Sequence, residues 1–179
     1  RTPPLARRAD RYTITGRLDY TGSELEPLDP EEIEAVAEKI RGSEAKAVAV
    51  CLLHSYANPV HEQKVRSILE TCLPDVFVCI SSDIIREFRE YERASTVALN
   101  AYLIPIMDRY LLSLESKLVD LDFGLGLQSK APVMVMEASG GLMTLSTARK
   151  KPVHTILSGP AGGVVASAEI AARCKLENI

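Results

Sequence analysis

Residues 155–172 read TILSGPAGGVVASAEIAA. A short β-type segment leads through Ser158-Gly159-Pro160 into a run of glycine, alanine and valine. A strand feeding a glycine-rich turn and then a helix is a common way to cradle a phosphate. Neither standard cradle is spelled out. A Walker A loop needs G-x-x-x-x-G-K-[ST], and a dinucleotide fingerprint needs G-x-G-x-x-G. The glycines here are Gly159, Gly162 and Gly163, with no lysine beside them. Past the turn, Gly159, Gly163, Ser167 and Ala171 recur every four residues and form one narrow helical face. Ala161, Ala168 and Ala172 lie on the neighbouring face. Two compatible readings follow. The small residues allow a close helix crossing, or the free amides of Gly162 and Gly163 face an anion at the helix start.

A second turn, Ser139-Gly140-Gly141, follows the apolar stretch 132–136. Two glycine turns at the ends of successive strands could line one cleft, because ligands of α/β folds sit beyond the carboxyl ends of strands. The segment LLHSYANPVHE, 52–62, holds His54, His61 and Glu62, but their spacing matches no metal site. His54, at a strand end, is a candidate substrate-facing group, whereas His154 reads as a strand residue. REFREYER, 86–93, contains helix-spaced Arg86/Glu90 and Arg89/Glu92 pairs and is expected to be a solvated helix start; an anion-binding or domain-contact loop is the other reading. DFG at 122–124 stands without the other kinase motifs. No G-x-S-x-G elbow occurs either.

Outward from these turns, strand and helix signals alternate. A hairpin is expected over 11–28. Asp29-Pro30-Glu31-Glu32 starts a helix that Gly42 stops. Residues 45–53, AKAVAVCLL, read as a fully apolar strand. Asn58-Pro59 opens a helix to Cys72, and 76–80 is a second buried strand. A long helix is expected over 94–118, with Leu99, Leu103, Ile106, Tyr110, Leu114 and Leu118 as its core stripe and a kink at Pro105. Residues 120–131 read as a connection, 132–136 as a strand, 144–150 as a short helix, 153–157 as a strand and 160–174 as the last helix. The predicted class is α/β, with a mostly parallel sheet and flanking helices.

The chain has 179 residues, 46% hydrophobic and 25% charged, with a net charge of -3. That balance supports a packed core. No basic cluster interleaved with aromatics points to nucleic acid, and no apolar run is long enough to span a bilayer. A cytoplasmic location is expected. Cys51, Cys72, Cys79 and Cys174 sit in apolar stretches and are expected to be reduced, buried thiols.

AVAVCLLHSYANPVHEQKV, REYERASTVALNAYLIP, VMEASGGL and HTILSGPAGGVVASA occur in that order. Together they closely resemble the hydantoinase A / 5-oxoprolinase family, which includes ATP-using subunits of acetone and acetophenone carboxylases. The family is similar in fold to actin and hexokinase, which clamp ATP between two lobes. The resemblance therefore implies ATP and Mg²⁺ as cofactors. It implies a cyclic amide or imide, such as a hydantoin or 5-oxoproline, that is phosphorylated and hydrolysed. Residues 1–122 would end the family's N-terminal region, and 123–179 would begin its core, with 160–174 as the helix connecting the lobes. Ser139, Gly140, Gly141, Ser158, Gly159, Gly162 and Gly163 become the cofactor-binding candidates and His54 the substrate candidate. A second hydantoinase-type subunit or domain is the implied partner, and self-association through exposed strand edges is a further expectation. The D-x-G-G-T turns that hold phosphates in such folds are absent from the sequence. The chain is thus expected to be an internal fragment, inactive alone. A ketone-carboxylase subunit and a non-catalytic assembly fragment, with the 94–118 helix as its surface, stand as alternatives.

Overall fold

Asp29 sets the first helix. Its carboxylate accepts the Glu31 amide at 2.9 Å, Pro30 supplies a preset φ, and α1 runs Pro30–Arg41. Its buried stripe is Ile33, Ala37 and Ile40. The computed structural model describes residues 4–120 and 133–176. The chain divides into two compact units, Arg1–Pro105 and Ile106–Ile179.

The first unit opens with an antiparallel pair, β1 (Arg17–Leu18) and β2 (Glu24–Glu26). Asp19 closes the turn between them by accepting the Thr21 hydroxyl and the Thr21 and Ser23 amides. Those bonds, the hydroxyl's foremost, hold its carboxyl below the usual range. β3 (Ala47–Val50), α2 (Val60–Cys72) and β4 (Phe77–Ile80) then form a β-α-β unit, with β3 and β4 parallel and in register from Ala47↔Phe77 to Val50↔Ile80. The core of the unit joins Leu28, Ile33, Ala37 and Ile40 to Val50, Val65, Leu69, Leu73 and Ile80. Asn58 ties the hairpin to α2. Its side-chain amide donates to Gly22 C=O at 2.8 Å and its carbonyl accepts the Val60 amide at 3.1 Å. Gly22 sits at φ +86°, and a Cβ there would lie 2.8 Å from Asn58 Cβ. One turn, α3 (Ser81–Ile84), follows β4, and α4 (Glu90–Asp120) runs on through Pro105.

The second unit pairs β5 (Met134–Met136) with β6 (Leu142–Thr144), antiparallel across a turn at Gly140, φ +86°. α5 (Leu145–Lys150) is capped by the Thr144 hydroxyl. α6 spans Ser158–Cys174. Leu111, Met143, Leu145 and Ala148 form the core, and Arg149 Nε donates to Asp108 at 2.6 Å.

Several expectations need correction. Among the described residues one pair of strands is parallel and two are antiparallel, so the sheet is not mostly parallel but is three small pairs. Tight turns at 19–23 and 137–141 can only return the chain antiparallel; β3 and β4 alone have a helix between them. Residues 153–157 are not a strand. Pro152–Thr155 is a 3-10 turn and Leu157 is left-handed, φ 64°. Pro152 has a fixed φ and no amide for a ladder, which places His154 on a helical turn. The α4 stripe is also displaced. Ile106 and Tyr110 are exposed, while Val97, Asn100, Ala101, Ile104 and Leu111 are buried. The connection at 120–131, with its DFG, falls on positions outside the described residues beyond Asp120.

All four cysteines are free, but only Cys79 is buried; Cys51 and Cys72 are half-buried and Cys174 is exposed. Burial, above all, pushes the Cys79 thiol up to about 11. At pH 8 a thiol-specific reagent should label Cys174 first and Cys79 only on unfolding, with the order read by peptide mass spectrometry. Truncating Ile33 to Ala should cost about 2–5 kcal/mol in urea denaturation, because it opens a cavity under α1.

Candidate functional site

Both glycine turns belong to the second unit, and they meet. A Cβ on Gly162 would lie 2.7 Å from Met136 Sδ, and one on Gly140 would lie 3.2 Å from a Val165 methyl. The Ala138 amide donates to His154 C=O at 2.7 Å, which fixes the segment before α6 against the first turn. The structure thus brings Ser139-Gly140-Gly141 alongside the first half of α6. The close approach runs through Gly162, not through the Gly159/Gly163 face, where an added Cβ would meet nothing within 4 Å. From Gly163 to Ile170 the helix is exposed.

The free amides also differ from expectation. α6 starts at Ser158, and the Ala161 amide already bonds Leu157 C=O at 3.2 Å. Gly162 and Gly163 therefore lie inside the helical ladder, and the unclaimed amides at the start belong to Ser158 and Gly159. Pro160 has none to offer. Ser139 Oγ donates to Glu137 at 3.1 Å. Two backbone amides, the Ser158 hydroxyl and an open glycine face suit the edge of a phosphate group, and the set contains no cation to hold one unaided.

A second cluster sits at the carboxyl end of the parallel pair in the first unit. Glu62, fully buried on α2, accepts three hydrogen bonds: the Leu52 amide at 2.9 Å, the Ser81 hydroxyl at 2.6 Å and the Ser82 amide at 2.9 Å. Leu52 follows β3 and Ser81 follows β4, so one carboxylate joins both strand ends. Arg93, also fully buried, donates to Leu52 C=O at 2.6 Å and Glu87 C=O at 3.3 Å, and its guanidinium lies 5.7 Å from the Tyr56 ring centroid. Ser55 Oγ links Leu52 C=O and Ser81 Oγ. Leu52 is thus gripped at both its amide and its carbonyl.

His54 sits inside the loop so formed, left-handed at φ 56°, with its ring edge-on to Tyr56. That conformation is uncommon for a residue with a side chain. Its Nδ1 is buried without a partner among the described residues, as are Ser82 Oγ and Arg93 Nε. His61 is elsewhere employed. It is buried at the start of α2, and Nε2 lies 2.8 Å from Glu24 Oε2. His54, His61 and Glu62 therefore serve three separate contacts and do not converge. The solvated reading of 86–93 holds for its first seven residues, all exposed, although Arg86 also turns Nε to Ser82 C=O at 3.1 Å. It fails for Arg93. The one sequence signal for Glu62 was an acid set among half-apolar neighbours of an amphipathic helix. Arg93 had none.

These parts define a mixed α/β protein with small sheets, a rigid strand-end loop and a pair of packed glycine turns. The chain belongs to the hydantoinase/oxoprolinase family. The family's N-terminal-region model matches residues 2–73, and its hydantoinase/oxoprolinase model matches residues 93–179. It is 34% identical to the caprolactamase alpha subunit of Pseudomonas jessenii over 94% of this chain and 23% of that protein. It is 29% identical to the acetone carboxylase beta subunit of Xanthobacter autotrophicus over 91% of this chain and 22% of that one. The crystal structure of the ATP-dependent caprolactamase from P. jessenii superposes with a TM-score of 0.83 at 35% identity, covering 96% of this chain and 24% of that one. The chain spans about a quarter of the length of these relatives.

Glu62→Ala should destabilise the protein by about 3 kcal/mol or more, since it strands the Leu52 and Ser82 amides; Glu62→Gln should cost less, because one acceptor survives. Gly163→Ala should leave thermal stability unchanged or raise it by up to about 1 kcal/mol, as for any exposed helical glycine, whereas Gly162→Val should lower it by displacing Met136.

Proposed function

We propose that the full protein is an ATP-dependent enzyme that opens a cyclic amide or imide. The observation that carries this reading is the likeness to caprolactamase, which extends over nearly the whole chain in both sequence and structure. In the proposed reaction the γ-phosphoryl group passes to the amide oxygen and ADP leaves. Water then attacks the activated carbon and the ring nitrogen leaves as the amine, and a second water hydrolyses the resulting acyl phosphate to the carboxylate and inorganic phosphate. Such transfer depends chiefly on positioning and charge stabilisation.

In this proposal Ser158 and Gly159 offer amides to a phosphate edge. Gly163, open on α6, leaves room for the nucleotide to approach, and α6 is the helix that connects the lobes of an actin-like ATPase. Mg²⁺ would supply the charge that these residues lack. A second subunit is part of the reading, because the relatives are named as alpha, beta and gamma subunits. Among the described residues no helix is long and apolar enough to cross a membrane, in keeping with the proposed cytoplasmic setting. A second reading, ATP-dependent carboxylation of a ketone, is favoured by the likeness to acetone and acetophenone carboxylase subunits.

ADP release by the full-length protein and its partner subunit, measured on a panel of cyclic amides with Mg²⁺-ATP, should rise with at least one of them. Stimulation only by a ketone with bicarbonate would transfer the assignment to the carboxylase. Gly159→Ala and Gly163→Ala should lower turnover about tenfold or more without loss of stability, because they fill the nucleotide's approach. Unchanged kinetics in both would remove the glycine face from the site.

A further inference from the structure

Three buried polar atoms at the corner around Leu52 have no partner among the described residues: His54 Nδ1, Ser82 Oγ and Arg93 Nε. Orphaned groups of this kind are rare in folded proteins, and each calls for a bound molecule or ion. Leu52 ties the three together. Arg93 takes its carbonyl at 2.6 Å, Ser82 shares the Glu62 carboxylate with its amide, and His54 lies two residues along the same loop. The Tyr56 ring stands 5.7 Å from the Arg93 guanidinium and 6.0 Å from the His54 ring. The left-handed backbone of His54, at φ 56°, is a conformation that persists only where the surroundings hold it.

Charge decides what these atoms hold. Arg93 is 0% exposed and Ser82 2%. Arg93 spends Nη2 on Leu52 C=O and Nη1 on Glu87 C=O, both uncharged, so among the described residues no carboxylate answers its charge by direct contact. A buried charge left in that state is costly. Glu62 is occupied elsewhere, by the Leu52 and Ser82 amides and the Ser81 hydroxyl. Arg86, whose Nε donates to Ser82 C=O at 3.1 Å, brings a second cation to this corner, while Asp83 is paired with Arg66. Positive charge therefore exceeds negative around the three orphaned atoms.

The donors point the same way. Arg93 Nε–H and the Ser82 hydroxyl donate, and His54 donates from Nδ1 in the matching tautomer. A group that only accepts, and that carries negative charge, completes the set. All three atoms are closed off from solvent, which suits a single-atom ion in the place of one water rather than a phosphate. We infer that a halide ion such as chloride binds between Arg93 Nε, Ser82 Oγ and His54 Nδ1 and locks the 52–58 loop to the segment after β4. The anion-binding reading of 86–93 then rests on Arg93, the one residue of that run that is buried. Nothing in the reaction proposed above uses this ion, and the inference stands without it.

Thermal melting of the full-length protein with its partner subunit, in chloride or bromide against gluconate, tests it. Constant ionic strength keeps general screening out of the comparison. Wild type should show a saturating upward shift in melting temperature with halide. Ser82→Ala removes a hydroxyl that bonds nothing else among the described residues, so the variant should fold and need about tenfold more halide for the same shift. Bromide reads the site without any substitution: crystals of the wild-type protein grown in it should show an anomalous peak within hydrogen-bond reach of Arg93 Nε and Ser82 Oγ. A halide response with the same midpoint in both proteins, or none in wild type, would overturn the site. So would a water without anomalous signal at that position.

Discussion

A single buried carboxylate organises the first unit. Glu62 reaches from α2 to the ends of both parallel strands and takes hydrogen bonds from Leu52, Ser81 and Ser82. A fully buried carboxylate is costly unless its lone pairs are met. Here they are met by backbone and hydroxyl groups that themselves have nowhere else to go once the strands stop. Arg93 answers from the start of α4 by taking Leu52 C=O. The two side chains hold opposite ends of one residue, Leu52, at its amide and at its carbonyl. The result is a fixed corner from which the 52–58 loop and the left-handed His54 take their positions.

The second unit relies on close approach instead of buried charge. Met136 lies over Gly162, and Val165 lies over Gly140. Small residues here permit a strand-end turn and a helix to share one contact without a side chain between them. Gly159 and Gly163 of α6 are open, and that distinction separates the packing glycine, Gly162, from the two that touch nothing.

Much of this was legible in the sequence where one local signal decides the outcome. Asp29-Pro30 and Gly42 bracket α1 within a residue, and the apolar runs 45–53 and 76–80 contain β3 and β4. The last helix, expected over 160–174 and found two residues earlier over Ser158–Cys174, and the turn at Gly140 were nearly as plain. Legibility failed where a residue's partner is distant. Arg93 sits in a run of charges that looks solvated, and only the folded loop gives it carbonyls to bind. α4 carries apolar residues around most of its circumference, so spacing alone could not select the Val97/Ala101/Ile104 face over the Leu99/Leu103/Ile106 one. The 153–157 segment has strand-like residues, yet Pro152 commits it to a turn. The small-residue stripe of α6 gave the helix and missed which glycine is covered. The family likeness came from four motifs in order and is upheld over most of the chain. It could not reveal His61 with Glu24, because that pair joins α2 to β2 across residues with no shared motif.

The central claim is that Glu62 fixes the ends of both parallel strands. Amide hydrogen exchange on the full-length protein, wild type against Glu62→Gln, addresses it residue by residue. The account predicts that the Leu52 and Ser82 amides exchange about tenfold faster or more in the variant, while the α1 amides around Ile33 and Ala37 keep their protection. Equal exchange at Leu52 and Ser82 in the two proteins would contradict it.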